Sequence, residues 1–368
     1  MEPIRVLQVF ASLDRGGAET MIMNIYRNIN RNRVQFDFVA NEKECEYSYE
    51  KEIRELGGRI FYVPEFNIVN YMIYKRTWKN LLSEHPEWKI VHGHHTSPAF
   101  VYLKEAKAQN RITIAHSHIA GGESSFKSYM KVILRYPIRY IADYLFACSK
   151  SAAKWMFGKY YTSAYIINNA IDAQKFSFRE NIREVKRKEL GIENKFVIGH
   201  IGRFQTQKNH KFLIDVFKII HSRNNNAVLL LVGDGELRQT IIEKVENLGL
   251  SDNVIFTGVR SDIPELLQAM DVFVFPSLYE GLGIAVIEAQ AAGLHCIVAD
   301  TIPKEAYITD LIESIPLTEK EDIWAERILK YNNGYNRQNT YEEVKSKGYD
   351  IYETTRWLEE FYLKNWRE

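Results

Sequence analysis

The sequence predicts an α/β protein of two doubly wound, parallel-sheet domains, and three observations carry that expectation. At 368 residues the chain is too long for one ordinary core. Short apolar runs alternate with helical patterns, as they do where parallel strands are joined by crossover helices. The stretch from Asp271 to Asp300 concentrates the pattern. It reads as a buried strand (Asp271 to Phe275), the breakers Pro276 and Ser277, a glycine-bearing turn (Glu280 to Gly283), an alanine-rich helix and a second buried strand (Leu294 to Ala299). That is a βαβ unit.

A turn at the carboxyl end of a parallel strand is where such folds hold ligands, and a helix start leaves N–H groups without intrahelical acceptors. Gly281, Leu282, Gly283 and Ile284 supply those groups, which suit an anion. Two carboxylates stand beside them, Glu280 in the turn and Glu288 inside the helix. Glu288 can accept from adjacent ribose hydroxyls while Glu280 reaches another hydroxyl-rich group across the phosphates. Taken singly, each glutamate also reads as a solvated charge.

The whole string decides between these readings. From Pro276 to Gly293 the chain resembles the retaining glycosyltransferases of family 4 with the GT-B fold, whose signature is PS-x-x-EG-x-G-x-x-x-x-EA-x-A-x-G. The resemblance implies two Rossmann-like domains facing a central cleft. It also implies transfer of a hexosyl group from a nucleotide diphosphate sugar, expected to be UDP-linked, to a saccharide or lipid-linked saccharide, with retention. Bacterial capsule or exopolysaccharide synthesis is the expected setting. A nucleotide-sugar epimerase on the same fold and a non-catalytic sugar-nucleotide-binding partner subunit are the alternatives.

Composition bounds the rest. A formal net charge of +1 gives no sign of nucleic-acid binding, although residues 1–175 hold 24 Lys and Arg against 17 Asp and Glu. Three scattered cysteines suggest neither a disulfide framework nor a zinc site, and no apolar run reaches membrane-spanning length. A cytoplasmic protein is expected, with any membrane contact peripheral.

In chain order, an apolar run from Arg5 to Phe10 leads into a turn with Gly16 and Gly17, which the resemblance turns toward the donor phosphates. Strands are expected at Phe36–Ala40, Arg59–Val63, Ile90–His92 and Ile112–Ala115, the last running into His116 and His118. The resemblance puts a histidine of this loop near the donor sugar, at His116, with His118 as the substitute. Neither histidine has an acidic or cysteine partner at metal-ligand spacing. From Phe126 to Tyr144 the cations Lys127, Lys131, Arg135 and Arg139 recur every fourth residue, a stripe suited to anionic lipid or a phosphate-bearing acceptor.

The first domain is expected over residues 1–172, a charged linker over 173–193, the nucleotide-sugar domain over 194–348, and a tail over 349–368 that crosses back to the first domain. In the second domain Arg203 and Lys208 straddle a strand-to-helix loop where both can meet one diphosphate. The family normally has glycine where this chain has Asn209. The loop holding Val259 resembles the one whose backbone meets the base in relatives. The chain contains no Asp-x-Asp pair, so the expectation is catalysis without a metal or other cofactor.

Overall fold

The computed structural model describes residues 2–43, 45–118 and 135–366. The chain divides into two compact units, Met1–Ile171 with Gly348–Glu368, and Asp172–Lys347.

In the first unit the described strands are β1 (Ile4–Val9), β2 (Val34–Asn41), β3 (Ile60–Val63), β4 (Trp88–Gly93), β5 (Ile112–Ser117), β6 (Tyr144–Ala147) and β7 (Tyr165–Ile166). They pair in parallel in the order β3-β2-β1-β4-β5-β6-β7. The winding direction reverses between β1 and β4, the switch point where doubly wound sheets open a crevice at their carboxyl ends. Strand side chains alternate between two cores. Val6, Phe36, Ile90, Ile114 and Phe146 lie with residues of helices Gly17–Asn28 and Ile351–Asn365 on one face. Leu7, Val39, Val91 and Ala115 lie with Trp78, Tyr102 and Phe157 on the other.

The carboxyl-terminal helix Ile351–Asn365 is thus part of the first unit's core, through Ile351, Leu358 and Tyr362. Asp350 caps it by accepting from the N–H of Glu353 at 3.0 Å, and a parallel bridge from Asp350 to Ile171 fixes its entry.

The second unit repeats the plan. Its strands are β8 (Phe196–Ile201), β9 (Ala227–Val232), β10 (Val254–Phe256), β11 (Val272–Phe275), β12 (His295–Ala299) and β13 (Ile312–Ile315), in the order β10-β9-β8-β11-β12-β13 and all parallel. Strand β13 was not expected. It is a half-exposed edge strand, IESI, whose polar residues give no buried-strand signal.

Residues 173–193, expected as a linker and its flanking helix, contain helices Ala173–Phe176 and Glu180–Leu190 of the second unit. The charges that suggested a linker are used inside it. Arg183 donates to Asp271 at 2.5 Å and to the carbonyl of Met270 at 2.9 Å, and Arg187 donates to the carbonyl of Ala269 at 2.9 Å. This ties the helix to the start of β11, whose other end carries the signature turn.

Candidate active site

In the second unit the loops after β8 and β11 are joined by backbone and side chain. The N–H of Leu278 donates to the carbonyl of Gln207 at 2.8 Å, and Gln207 Nε2 donates to the carbonyl of Tyr279 at 2.8 Å. Lys208 Nζ then sits 2.5 Å from Glu280 Oε1 and 4.6 Å from the centre of the Phe275 ring. Two residues expected on different ligand groups therefore hold each other in this structure. Asn209 makes the loop possible by adopting a left-handed φ of +56°, a conformation that asparagine tolerates better than most residues and that explains the family's glycine. Arg203 is exposed and has no ion pair among the described residues.

The loop after β9 packs under that of β8. A Cβ on Gly233, whose φ is +136°, would come within 2.2 Å of the Gly202 carbonyl oxygen. The N–H of Gly233 also donates to the carbonyl of Gly258 at 2.9 Å, which holds the next loop and leaves Val259 exposed beside it. The backbone at this edge is rigid.

Gly283, with φ of +83°, caps helix Ile284–Ala291, and no side chain occupies the cap. The N–H groups of Gly281, Leu282, Gly283 and Ile284 have no backbone acceptor among the described residues. One turn inside, Glu288 makes no side-chain hydrogen bond with any described residue. It is only partly covered, yet the protein around it excludes enough water for burial to raise its carboxyl to about 8. Glu280, Gly281 to Ile284 and Glu288 thus share one helix start, with Lys208 beside them.

In the first unit Gly16 caps helix Gly17–Asn28. A Cβ on Gly16 would meet Glu19 Oε2 at 2.3 Å, whereas Gly17 has open space. Asp14 pins this turn. It accepts from the N–H of Ser48 and from Lys43, and these bonds hold its carboxyl at about 2.

His116 lies in β5 and His118 directly after it, and the structure adds two residues that the sequence did not single out, His92 in β4 and His94 directly after it. The four rings form one cluster, with His92 Nε2 at 3.1 Å from His116 Nδ1 and His94 Nδ1 at 2.8 Å from His118 Nε2. Burial pushes His118 down to about 3 and the other three well below the ordinary histidine value, so all four are neutral near pH 7. His92, His94 and His116 also offer nitrogens that all lie within 4.8 Å of one another. The missed signal was the pair of H-x-H spacings, 92–94 and 116–118, which a period of two places on one face of neighbouring strands.

Lys127 and Lys131 lie outside the described residues. Of the other two cations, Arg135 lies 4.0 Å over the Trp155 ring and Arg139 lies 4.5 Å over the Tyr136 ring. Trp155 of the following helix and Tyr136 of the segment itself supply flat faces for guanidinium stacking, which the fourfold spacing of cations does not reveal.

Residues 15–175 match the family described as Glycosyltransferase Family 4, and residues 182–347 match Glycosyl transferases group 1. EpsF of Bacillus subtilis (strain 168), named as a glycosyltransferase, is 34% identical over 336 residues, spanning 89% of this chain and 87% of that protein. The capsular polysaccharide biosynthesis glycosyltransferase CapH of Staphylococcus aureus is 27% identical over 385 residues, spanning 98% and 99%. Among solved structures, Anabaena Alr3699/HepE in complex with UDP superposes with a TM-score of 0.79 at 18% identity, covering 98% of this chain and all of the other. With both sheets in the same doubly wound order and a relative matched over nearly its whole length, this chain belongs to the glycosyltransferases of the GT-B fold that join a family 4 half to a group 1 half.

Proposed function

We propose that this glycosyltransferase moves a hexosyl group from a UDP-linked sugar to a saccharide or lipid-linked saccharide during surface polysaccharide synthesis, with retention at the anomeric carbon and without a metal ion. The observation that carries the reading is one helix start where open N–H groups, the Lys208–Glu280 pair and the unpartnered carboxyl of Glu288 stand together. Open N–H groups and a helix N-terminus suit a diphosphate. Glu288 suits the two ribose hydroxyls, and Glu280 with its lysine suits the sugar side. Charge that develops on the leaving diphosphate would meet Arg203, Lys208 and the helix dipole, of which Lys208 and the helix start are already held in place. UDP and UDP-glucose complexes of HepE and the capsule role in the name of CapH support the donor and the setting.

Thermal shift with a panel of nucleotide sugars tests the donor. A UDP-sugar at 100 times its dissociation constant should add about 2.7 kcal/mol of stability. Equal shifts from adenosine and guanosine diphosphate sugars would remove the case for UDP.

We infer that peripheral contact with anionic lipid is made by an apolar tip of the first unit in addition to the fourfold cation stripe. No helix of the described residues is long and apolar enough to cross a membrane. At the start of helix Tyr71–Glu84, Ile68, Val69, Met72 and Ile73 are 62%, 98%, 71% and 64% exposed. Arg76 and Lys79 are exposed one and two turns behind, and residues 66–83 contain no acid. An apolar tip backed by cations matches the boundary between acyl chains and anionic headgroups.

A further inference from the structure

The four histidines of the two H-x-H pairs join Gln8 and Tyr362 in a single hydrogen-bonded chain of six side chains in the first unit, with His118 and His116 at its ends. His118 Nε2 meets His94 Nδ1 at 2.8 Å, and His94 Nε2 meets Gln8 Oε1 at 2.9 Å. Gln8 Nε2 donates to the Tyr362 hydroxyl at 3.2 Å, that hydroxyl meets His92 Nδ1 at 2.6 Å, and His92 Nε2 meets His116 Nδ1 at 3.1 Å. Gln8, His92 and Tyr362 are fully buried. The parallel register that sets Gln8 beside His92 brings β1 and β4 into the chain, and the carboxyl-terminal helix supplies the tyrosine.

A neutral imidazole has one N–H and one lone pair, so the amide of Gln8 orders every proton along the chain. Its oxygen requires the proton of His94 on Nε2. His94 Nδ1 must then accept from His118 Nε2, which leaves His118 Nδ1 bare. On the other side, the Gln8 NH2 fills the Tyr362 oxygen and sends the hydroxyl proton to His92 Nδ1. His92 Nε2 then donates to His116 Nδ1, and the proton of His116 sits on Nε2. Turning the amide end for end reverses every step, so that His116 Nε2 is bare and His118 Nδ1 protonated. In both arrangements the two ends have opposite character.

Those end atoms, His116 Nε2 and His118 Nδ1, are the two nitrogens of the chain that are buried without a partner among the described residues. Their rings lie 4.1 Å apart. Leaving a buried donor and a buried acceptor open costs free energy until something satisfies them. A hydroxyl satisfies both, since it donates once and accepts twice; a carboxylate satisfies the donor alone and an ammonium the acceptor alone. A cation held by His92, His94 and His116 would have to break this chain, because both nitrogens of His92 and both of His94 are engaged in it.

We propose that the chain makes His116 and His118 a donor–acceptor pair for one sugar hydroxyl, with Gln8 and Tyr362 as the positioning residues that keep its two ends opposed. The ownership of that hydroxyl by a nucleotide sugar rests on the function proposed above. The order of the protons does not.

The test begins without substrate. Long-range proton–nitrogen NMR of the full chain labelled with 15N-histidine reads each tautomer. The expected result is a single tautomer at His116 and at His118, with one free nitrogen protonated and the other bare. Both protonated, both bare, or both mixed would overturn the proposal. Tyr362→Phe keeps the ring and removes the hydroxyl, so the two halves should lose their correlation; an unchanged tautomer pattern in that variant would also overturn it.

Calorimetry with UDP-glucose and its monodeoxy analogues supplies the second reading. Tyr362→Phe should weaken UDP-glucose by about tenfold, the scale of one neutral hydrogen bond, while binding one monodeoxy analogue as well as the wild type does. Equal weakening for every analogue would show that Tyr362 is only structural and would overturn the pair's role. If UDP-glucose and other UDP-sugars do not bind at all, the donor reading fails, and the NMR result still decides the order of the chain.

Discussion

Lys208 Nζ stands 2.5 Å from Glu280 Oε1, and the two side chains are 18% and 7% exposed. A pair this covered is costly to break from one side, because the partner keeps an uncompensated charge. Lys208→Met and Glu280→Gln, singly and together, should show a coupling of about 1–3 kcal/mol in urea unfolding. Additive effects would mean that the pair contributes nothing. Lys208→Ala should also cut turnover by roughly 100-fold, as removal of a preorganised charge-stabilising donor does. Glu280→Ala should weaken turnover of the intact donor more than binding of the free diphosphate.

Glu288, with its carboxyl at about 8, is protonated at pH 7 in the free protein. Two ribose hydroxyls favour the ionised form, so UDP binding at pH 7 should release a proton. The binding enthalpy should therefore differ between phosphate and Tris buffers, and the difference should vanish in Glu288→Gln. A buffer-independent wild-type enthalpy would contradict the ribose contact. Stability follows the same group. Its folded pKa lies above the ordinary glutamate value of 4.5, so the native state holds more protons between about 4.5 and 8, and stability falls as pH rises through that window. Glu288→Gln should flatten the fall.

The buried histidines act in the opposite direction in the first unit. Their folded pKa values lie below 6.5, so the unfolded chain binds more protons below that pH, and their contribution is lost as pH falls. Fluorescence of the buried Trp78 and Trp88 should report earlier urea unfolding at pH 5 than at pH 7. An unchanged midpoint would mean that the cluster titrates as histidines do in water.

The apolar tip gives a membrane prediction. Val69→Asp with Met72→Asp should remove most sedimentation with anionic vesicles, and neutral vesicles should bind the wild type weakly. Equal sedimentation of the wild type with both kinds of vesicle would leave the patch without a lipid role.

Strands β1 to β5, β11 and β12 were legible in the sequence because a parallel strand is covered on both faces and reads as a short continuous apolar run. Strand β13 escaped because an edge strand needs no such run. Helix Glu180–Leu190 lies in the charged stretch expected to hold a linker and its flanking helix, and its arginines point at carbonyls and Asp271, contacts that leave no periodic trace. At the candidate site, the spacing from Glu280 to Glu288 was read directly, whereas the closure of Lys208 onto Glu280 depends on two loops 72 residues apart. The chain from His118 to His116 was illegible for the same reason, since Tyr362 enters it from 270 residues beyond His92.

Metal independence has its own check. Arg203, Lys208 and the helix start are proposed to neutralise the leaving diphosphate, so EDTA should leave turnover within a factor of about two. Loss of activity that magnesium or manganese restores would contradict this.

Acceptor-dependent release of UDP tests the central claim most directly, with a UDP-sugar labelled in its hexose and a bacterial glycan-lipid extract as the acceptor source. The expected result is UDP release that requires the extract, label recovered in the glycan-lipid with the donor's anomeric configuration, and a marked loss of both in Glu288→Gln. Consumption of the donor at the same rate without the extract, yielding free hexose or its epimer, would contradict glycosyl transfer and favour a nucleotide-sugar epimerase.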